Sequence, residues 1–252
     1  MRRWRGGTRE REAAWVRTEG AQPHAFTQCV AVIEALIFDF DGVILDTETP
    51  DFGTWRDEFE LHGVELERSL WSSFIGGGAG TFDVYAHLEG LLGRSVDREL
   101  VRVRRRRRYL EIVESSPLLP GVTDRMVQAR ELGLKVGVAS SSNREWVEGH
   151  LVRRDLMRLV DSVRSRDDVS SVKPDPELFL ASAGSMGVRP GACLAIEDSA
   201  NGVTAATGAG MFCVVVTNPM TKDMALGHAD LRLDALSDMP LAELLERAAN
   251  SH

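Results

Sequence analysis

Lysine is nearly missing from this 252-residue chain: Lys135, Lys173 and Lys222 are its only lysines, and arginine supplies the rest of the 30 basic residues. Cysteine is equally sparse. Cys29, Cys193 and Cys213 show no paired spacing, which sets aside a disulfide framework and a zinc site. Cys193 and Cys213 stand in apolar runs and read as small core residues. No apolar run reaches the ~18 residues of a membrane span, and residues 1–30 lack the apolar middle of a signal peptide. A reducing, cytoplasmic setting and no membrane partner are therefore expected. A formal net charge of −8 argues against a nucleic-acid or membrane-surface binder, yet leaves a small anionic substrate open, because local charge decides that.

What is present is enough for a folded enzyme-sized body. At 43% hydrophobic the chain can bury a large domain, or one domain with a smaller insertion, and a monomer is expected. Residues 1–30 are arginine-rich without a sustained period and read as a disordered N-terminal tail, with translation expected to begin near Val30 or Val32. Directly after them comes ALIFDFDGVILDT, Ala35–Thr47. Its apolar start reads as a buried parallel strand that delivers carboxylates to its C-terminal end, where open α/β sheets bind ligands. Asp39 and Asp41 are two residues apart, so in an extended chain both project to one side. Such a pair is tolerable with a cation, a proton or a strong donor between its members. Gly42 lets the backbone turn tightly or approach a ligand.

Further along, Phe52, Trp55 and Phe59 mark a helical face over Thr49–Gly63. A loop carrying Gly76, Gly77, Gly78 and Gly80 follows; without a Lys-Ser/Thr after it or a strand before it, it reads as a mobile loop and not a nucleotide-binding one. Helices are expected over Thr81–Leu92 and Asp97–Glu114. The second contains Arg104–Arg108, which reads as a solvated helix face, some of it able to attract an anion. From Pro120 the pattern changes to helices alternating with short apolar strands. Strands are expected at Lys135–Ala139, Asp161–Arg164, Ala192–Ile196, Met211–Val216 and Asp230–Leu233. Helices are expected at Val122–Leu132, Asn143–Val152, Pro176–Met186, Ala200–Ala209 and Pro240–Ala249. This alternation implies a doubly wound, parallel-sheet α/β fold. The helical stretch after the first strand interrupts it and reads as an insertion. The core is then 31–47 and 118–252, and the inserted helical cap is 48–117.

Three later stretches carry chemistry. Ser140-Ser141-Ser142-Asn143 joins a strand to a helix, whose N-terminus favours phosphate; Ser140 is the expected phosphate binder, with Ser141 and Gly42 beside it, while Ser142 or Asn143 caps the helix. Lys173 sits in KPDP, in a loop stiffened by Pro174 and Pro176, as electrostatic catalysis demands. Glu197-Asp198 arrive at another strand end. Hard oxygen ligands of this kind suit Mg²⁺, held by Asp39, the carbonyl of Asp41, and Asp198, with Glu197 touching the ion or standing just behind.

Taken together, DFDGVILDT, VASSS, KPDPELF and EDSANGVTAATGAGM resemble, in order, the four motifs of the haloacid dehalogenase (HAD) superfamily, over about residues 33–235. The chain is similar to the group with a helical cap after the first motif, which includes β-phosphoglucomutase-like and phosphoglycolate-phosphatase-like enzymes. The resemblance implies a Rossmann-like core and a Mg²⁺-dependent phosphatase acting on a small phosphorylated metabolite. It implies that Asp39 attacks phosphorus to form an aspartyl-phosphate, and that Asp41 protonates the leaving oxygen and then activates water. Dehalogenases of the superfamily lack the second aspartate, and phosphonate cleavers need a cap lysine that Thr49–Ser116 does not contain. Where β-phosphoglucomutases carry a histidine twelve residues past the nucleophile this chain has Asp51, and glycines stand near their cap-loop arginine. Both departures weigh against the mutase alternative. A non-catalytic phosphometabolite sensor is the alternative of another class, disfavoured because Asp39, Asp41, Lys173 and Asp198 are all in place.

Overall fold

Ala35–Phe38 forms β1, and every residue of it is buried. The computed structural model describes residues 32–72, 82–226 and 228–251. The expected tail and the glycine-rich loop at 76–80 lie outside the described residues. Around β1 the sheet runs β3-β2-β1-β4-β5-β6, with β2 at Lys135–Ala139, β3 at Ser162–Arg164, β4 at Cys193–Glu197, β5 at Phe212–Val216 and β6 at Leu231–Leu233. Every pairing is parallel, and Phe38 lies opposite Val138 on one side and Ile196 on the other.

Successive side chains on a strand face opposite ways, so β1 feeds two cores. Leu36 and Phe38 join Val136, Val138, Leu194 and Ile196 on one face, covered by α5 (Val122–Glu131), α6 (Arg144–Arg153) and α9 (Leu241–Ala249). Ala35 and Ile37 join Ala195, Cys213 and Val215 on the other, covered by α7 (Glu177–Met186) and α8 (Ala200–Gly208). Cys193 and Cys213 are both buried there. The chain leaves β1 for β2 and β3 on one side and returns to β4, β5 and β6 on the other. The order reverses between β1 and β4, and the crevice beyond their carboxyl ends is where such a sheet binds ligands.

The inserted cap holds α1 (Glu48–Leu61), α2 (Arg68–Ser72), α3 (Val84–Leu92) and α4 (Arg98–Ser115). Its own core gathers Trp55, Phe59, Leu66, Trp71, Leu88 and Val101, joined by Met220 from the loop after β5. Burial of each large apolar side chain contributes roughly 1.5–3 kcal/mol. Element edges follow local hydrogen bonds. α3 starts at Val84, not Thr81, because Asp83 accepts from Ala86 N at 3.0 Å and so fixes the first turn. Asp97 does the same for α4 through Leu100 N at 3.0 Å. Asn143, not Ser142, caps α6, accepting from Trp146 N at 2.8 Å. The five-residue α2 is too short to show a period in the sequence.

Candidate active site

Four strand-end segments meet at the switch point. Asp39 follows β1, with its N–H donating to Ile196 O at 2.8 Å, so the sheet itself fixes where its carboxylate emerges. Glu197 ends β4 and Asp198 follows it; Asp39, Glu197 and Asp198 are buried and present carboxylate oxygens within 4.8 Å of one another. Into this cluster Lys173 sends its ammonium, 2.6 Å from Asp39 Oδ1 and 2.5 Å from Glu197 Oε1. The peptide bond from Lys173 to Pro174 is cis.

Burial and the neighbouring Glu197 push the Asp39 carboxyl up to about 8, against the pull of Lys173. Asp198 is raised well above its ordinary value by burial, Glu197 and Asp39. Burial works against the Lys173 ammonium, but Asp39 and Glu197 outweigh it and hold the proton more firmly than in water. When all are ionised, three carboxylates against one ammonium leave a negative excess in a buried space, which is why protons are held on Asp39 and Asp198 in the absence of a cation. A hard divalent cation fits that donor set, and Asp39 and Asp198 are the carboxylates with room for it. The Glu197 oxygens are engaged otherwise: Oε1 takes Lys173, and Oε2 accepts from Asp198 N at 3.0 Å and Ser199 N at 3.4 Å.

Two glycines make this packing possible. Gly42 has φ +79°, and a Cβ there would lie 2.1 Å from Asp198 Oδ2. A Cβ on Gly202 would lie 1.9 Å from the Glu197 carboxylate carbon. Gly42, expected beside the phosphate site, has its N–H donating to Leu45 O at 2.8 Å. Its lack of a Cβ lets Asp198 come close. Ser140 is fully buried; its N–H donates to Arg164 O at 2.9 Å, and its hydroxyl accepts from Ser142 N at 3.0 Å and donates to Asp41 Oδ2 at 3.3 Å. Ser141 is exposed and lines the cavity above the carboxylates.

Asp41 is held by three donors: Ser142 Oγ at 2.6 Å, Trp146 Nε1 at 3.0 Å and Ser140 Oγ at 3.3 Å. Asn218 Nδ2 donates to Asp198 Oδ2 at 2.7 Å. The sequence reading missed Ser142 as a partner of Asp41, as well as Trp146 and Asn218. Trp146 had a signal: in the first turn of a helix, side chains point back toward the N-terminus, here toward the strand ends. Asn218 had another, two residues past β5, on the sheet edge that carries the carboxylates.

The cavity above these groups measures about 510 Å³. Its cap wall is formed by Glu48, Asp51, Arg105, Arg106 and Tyr109. Two members of the arginine run thus face the cavity and not solvent alone. Arg105 pairs with Asp51 and lies over the Trp55 ring, 4.6 Å from its centroid. Arg104 pairs with the buried Glu58 at 2.7 Å, while Arg108 reaches Glu111 at 3.4 Å. Burial, then Asp51, raises the Glu48 carboxyl to about 8, and burial raises Asp51 against the pull of Arg105.

A doubly wound core, a helical cap and an acidic, lysine-braced crevice at the switch point define a class of capped α/β hydrolases. Residues 33–210 match the family model of haloacid dehalogenase-like hydrolases, and the chain belongs to that family. It is 44% identical over 215 residues to "Putative phosphatase YhcW" of Bacillus subtilis, covering 85% of this chain and 97% of that protein. It is 34% identical over 234 residues to the Beta-phosphoglucomutase of the same organism, covering 85% of this chain and 95% of that one. A solved β-phosphoglucomutase from Clostridium difficile superposes with a TM-score of 0.68 at 26% identity, covering 87% of this chain and 98% of that one. Among the described residues no helix is long and apolar enough to cross a membrane.

Proposed function

We propose that this chain is a magnesium-dependent phosphatase that releases inorganic phosphate from a small phosphorylated metabolite through an aspartyl-phosphate on Asp39. The observation that carries the reading is the pairing of Asp39 with Lys173 at 2.6 Å at the floor of a cavity whose wall holds a second carboxylate, Asp41, on three donors. A carboxylate attacking a phosphate dianion needs its repulsion neutralised. Lys173 does part of this, and Mg²⁺, held by Asp39, Asp198 and the Asp41 carbonyl, would supply charge neutralisation at the phosphoryl oxygens. Glu197 serves as the brace that fixes Lys173.

In the first step an Asp39 oxygen forms a bond to phosphorus as the ester P–O bond breaks, and the leaving oxygen takes the proton of Asp41. In the second, Asp41 takes a proton from water, the water oxygen bonds to phosphorus, and the bond from phosphorus to Asp39 breaks. Alcohol and inorganic phosphate are the products, and Asp41 has its proton back. The hydroxyls of Ser140 and Ser141 hold phosphoryl oxygens throughout.

The likeness to β-phosphoglucomutases supports a second reading, a phosphosugar mutase. Against it stands Asp51, at the position of their histidine and tied to Arg105. The test is phosphate release across sugar phosphates, phosphoglycolate and nucleoside monophosphates with magnesium or with chelator, alongside conversion of β-glucose 1-phosphate to glucose 6-phosphate. Magnesium-dependent release that Asp39→Asn reduces by at least ~10²-fold supports the phosphatase. Isomerisation without release supports the mutase, and neither activity would return the sensor reading.

A further inference from the structure

Trp146 touches both the catalytic floor and the cap. Its indole Nε1 donates to Asp41 Oδ1 at 3.0 Å. The face of the same ring receives two residues of cap helix α4: Arg106 with its guanidinium 5.2 Å from the ring centroid, and Tyr109 stacked at 5.9 Å with planes 21° apart. Arg106 also lies 5.2 Å from the Tyr109 centroid, so the guanidinium bears on both rings. The His150 ring meets the indole edge-on at 4.2 Å. At the C-cap of α6, Arg154 donates to Val113 O at 2.7 Å, near the end of α4, and faces His150 Nδ1 at 2.8 Å. Helix α4 is therefore fastened to α6 at one end and rests on Trp146 at its middle turns, through Arg106 and Tyr109.

We infer that Trp146 is a positioning residue through which α4 of the cap sets the orientation of the Asp41 carboxyl group. The inference rests on the proposed acid role of Asp41. Proton delivery to a leaving oxygen depends steeply on geometry, and a misplacement of about 1 Å reduces rate by ~10². An N–H held rigidly by a ring that is clamped between two helices fixes the carboxyl better than a hydroxyl rotor does. A shift of α4 moves the clamp, and the indole transmits the shift to Asp41.

The test uses the full-length, magnesium-loaded enzyme with phenyl, nitrophenyl and dinitrophenyl phosphates, reading kcat against leaving-group acidity. A poor leaving group needs the proton of Asp41, and dinitrophenolate departs without it. Trp146→Phe keeps the ring and removes the donor. It is expected to lower kcat about 10-fold or more on the phenyl ester and less than about 2-fold on the dinitrophenyl ester, with KM little changed. Arg106→Gln, at an exposed position, should show the same selectivity at smaller size. Should Trp146→Phe not fold, Arg106→Gln decides alone. Loss that is uniform across the esters, or no loss, in either variant overturns the inference. Asp41→Asn runs in parallel: if its own loss does not depend on the leaving group, the acid role of Asp41 falls and this inference with it. If only Asp41→Asn is selective, the acid role stands and the link through Trp146 falls.

Discussion

Lys173 Nζ stands 2.5 Å from Glu197 Oε1, a salt bridge with one partner fully buried and the other nearly so. Glu197 in turn accepts the N–H of Asp198, the next carboxylate of the site. One pair therefore fixes the lysine and the start of the loop after β4.

Removing the lysine should be felt first as instability. Lys173→Met leaves Asp39, Glu197 and Asp198 facing one another without a cation, and a broken buried pair costs about 3–5 kcal/mol. Denaturant unfolding in chelator reads the loss. The double variant Lys173→Met/Glu197→Gln should recover part of the stability and none of the turnover, separating the brace from the chemistry. A single variant that loses under ~1 kcal/mol would show that the bridge does not hold the site together.

The glycine contacts give a test in which two effects oppose. Gly202 lies inside α8, where alanine is favoured over glycine by ~1 kcal/mol, so propensity alone would make Gly202→Ala stabilising. The added Cβ would overlap the Glu197 carboxylate, and overpacking of this kind costs about 1–3 kcal/mol or more. Net destabilisation and slower turnover are expected. At Gly42 both effects act together, since φ +79° is unfavourable for an L side chain by ~1–2 kcal/mol and the Cβ would strike Asp198. Gly42→Ala should weaken magnesium binding in titration calorimetry as well as stability. Wild-type behaviour of either variant would mean that the loops relax freely.

These contacts also mark how far the sequence could be read. The strands were legible because each is a short apolar run, and Asp39, Glu197 and Asp198 because each stands at a strand end. The Lys135–Ala139 strand agrees at both ends, and the helix edges differ where a capping aspartate or asparagine selects the first turn. What stayed hidden depends on which elements meet. Nothing local tells that Arg105 reaches Asp51, 54 residues away, or that Trp146 reaches Asp41 across 105. The run Arg104–Arg108 reads as one solvated face because the inward turn of Arg104 and Arg105 toward α1 and of Arg106 toward Trp146 follows from where α1 and α6 lie. The doubly wound sheet followed from alternation, while the switch point between β1 and β4 needed the strand order.

His150 should make stability depend on mildly acidic pH. The ring is fully buried with Arg154 against Nδ1, so burial, then Arg154, lowers its pKa from 6.5 to about 4. Between those values the unfolded chain binds the proton and the folded one does not, so this contribution is complete above about 6.5 and is lost as pH falls toward 4. The swing amounts to at most about 3 kcal/mol. Thermal unfolding of wild type and His150→Gln from pH 4 to 7 reads it. The variant's curve should be flatter there, and equal slopes would exclude His150 as the cause.

Asp39 should act in the opposite direction, and the cation should cancel it. Its folded-state value of about 8 lies above the unfolded value near 3.8, so the folded protein without metal holds a proton that the unfolded chain releases. That contribution is complete below about 3.8 and is lost as pH rises through 8, when Asp39 ionises beside Glu197 and Asp198. A cation binding the ionised pair competes with this proton, so magnesium affinity should rise with pH over the same range. Binding stabilises by about 2.7 kcal/mol at a hundredfold excess over Kd. The Tm difference between magnesium and chelator should therefore grow from pH 6 to pH 8, and Asp39→Asn should shrink both the difference and its growth. A magnesium shift of constant size across that range would place the ion away from Asp39, and no shift would remove the cation from the site altogether.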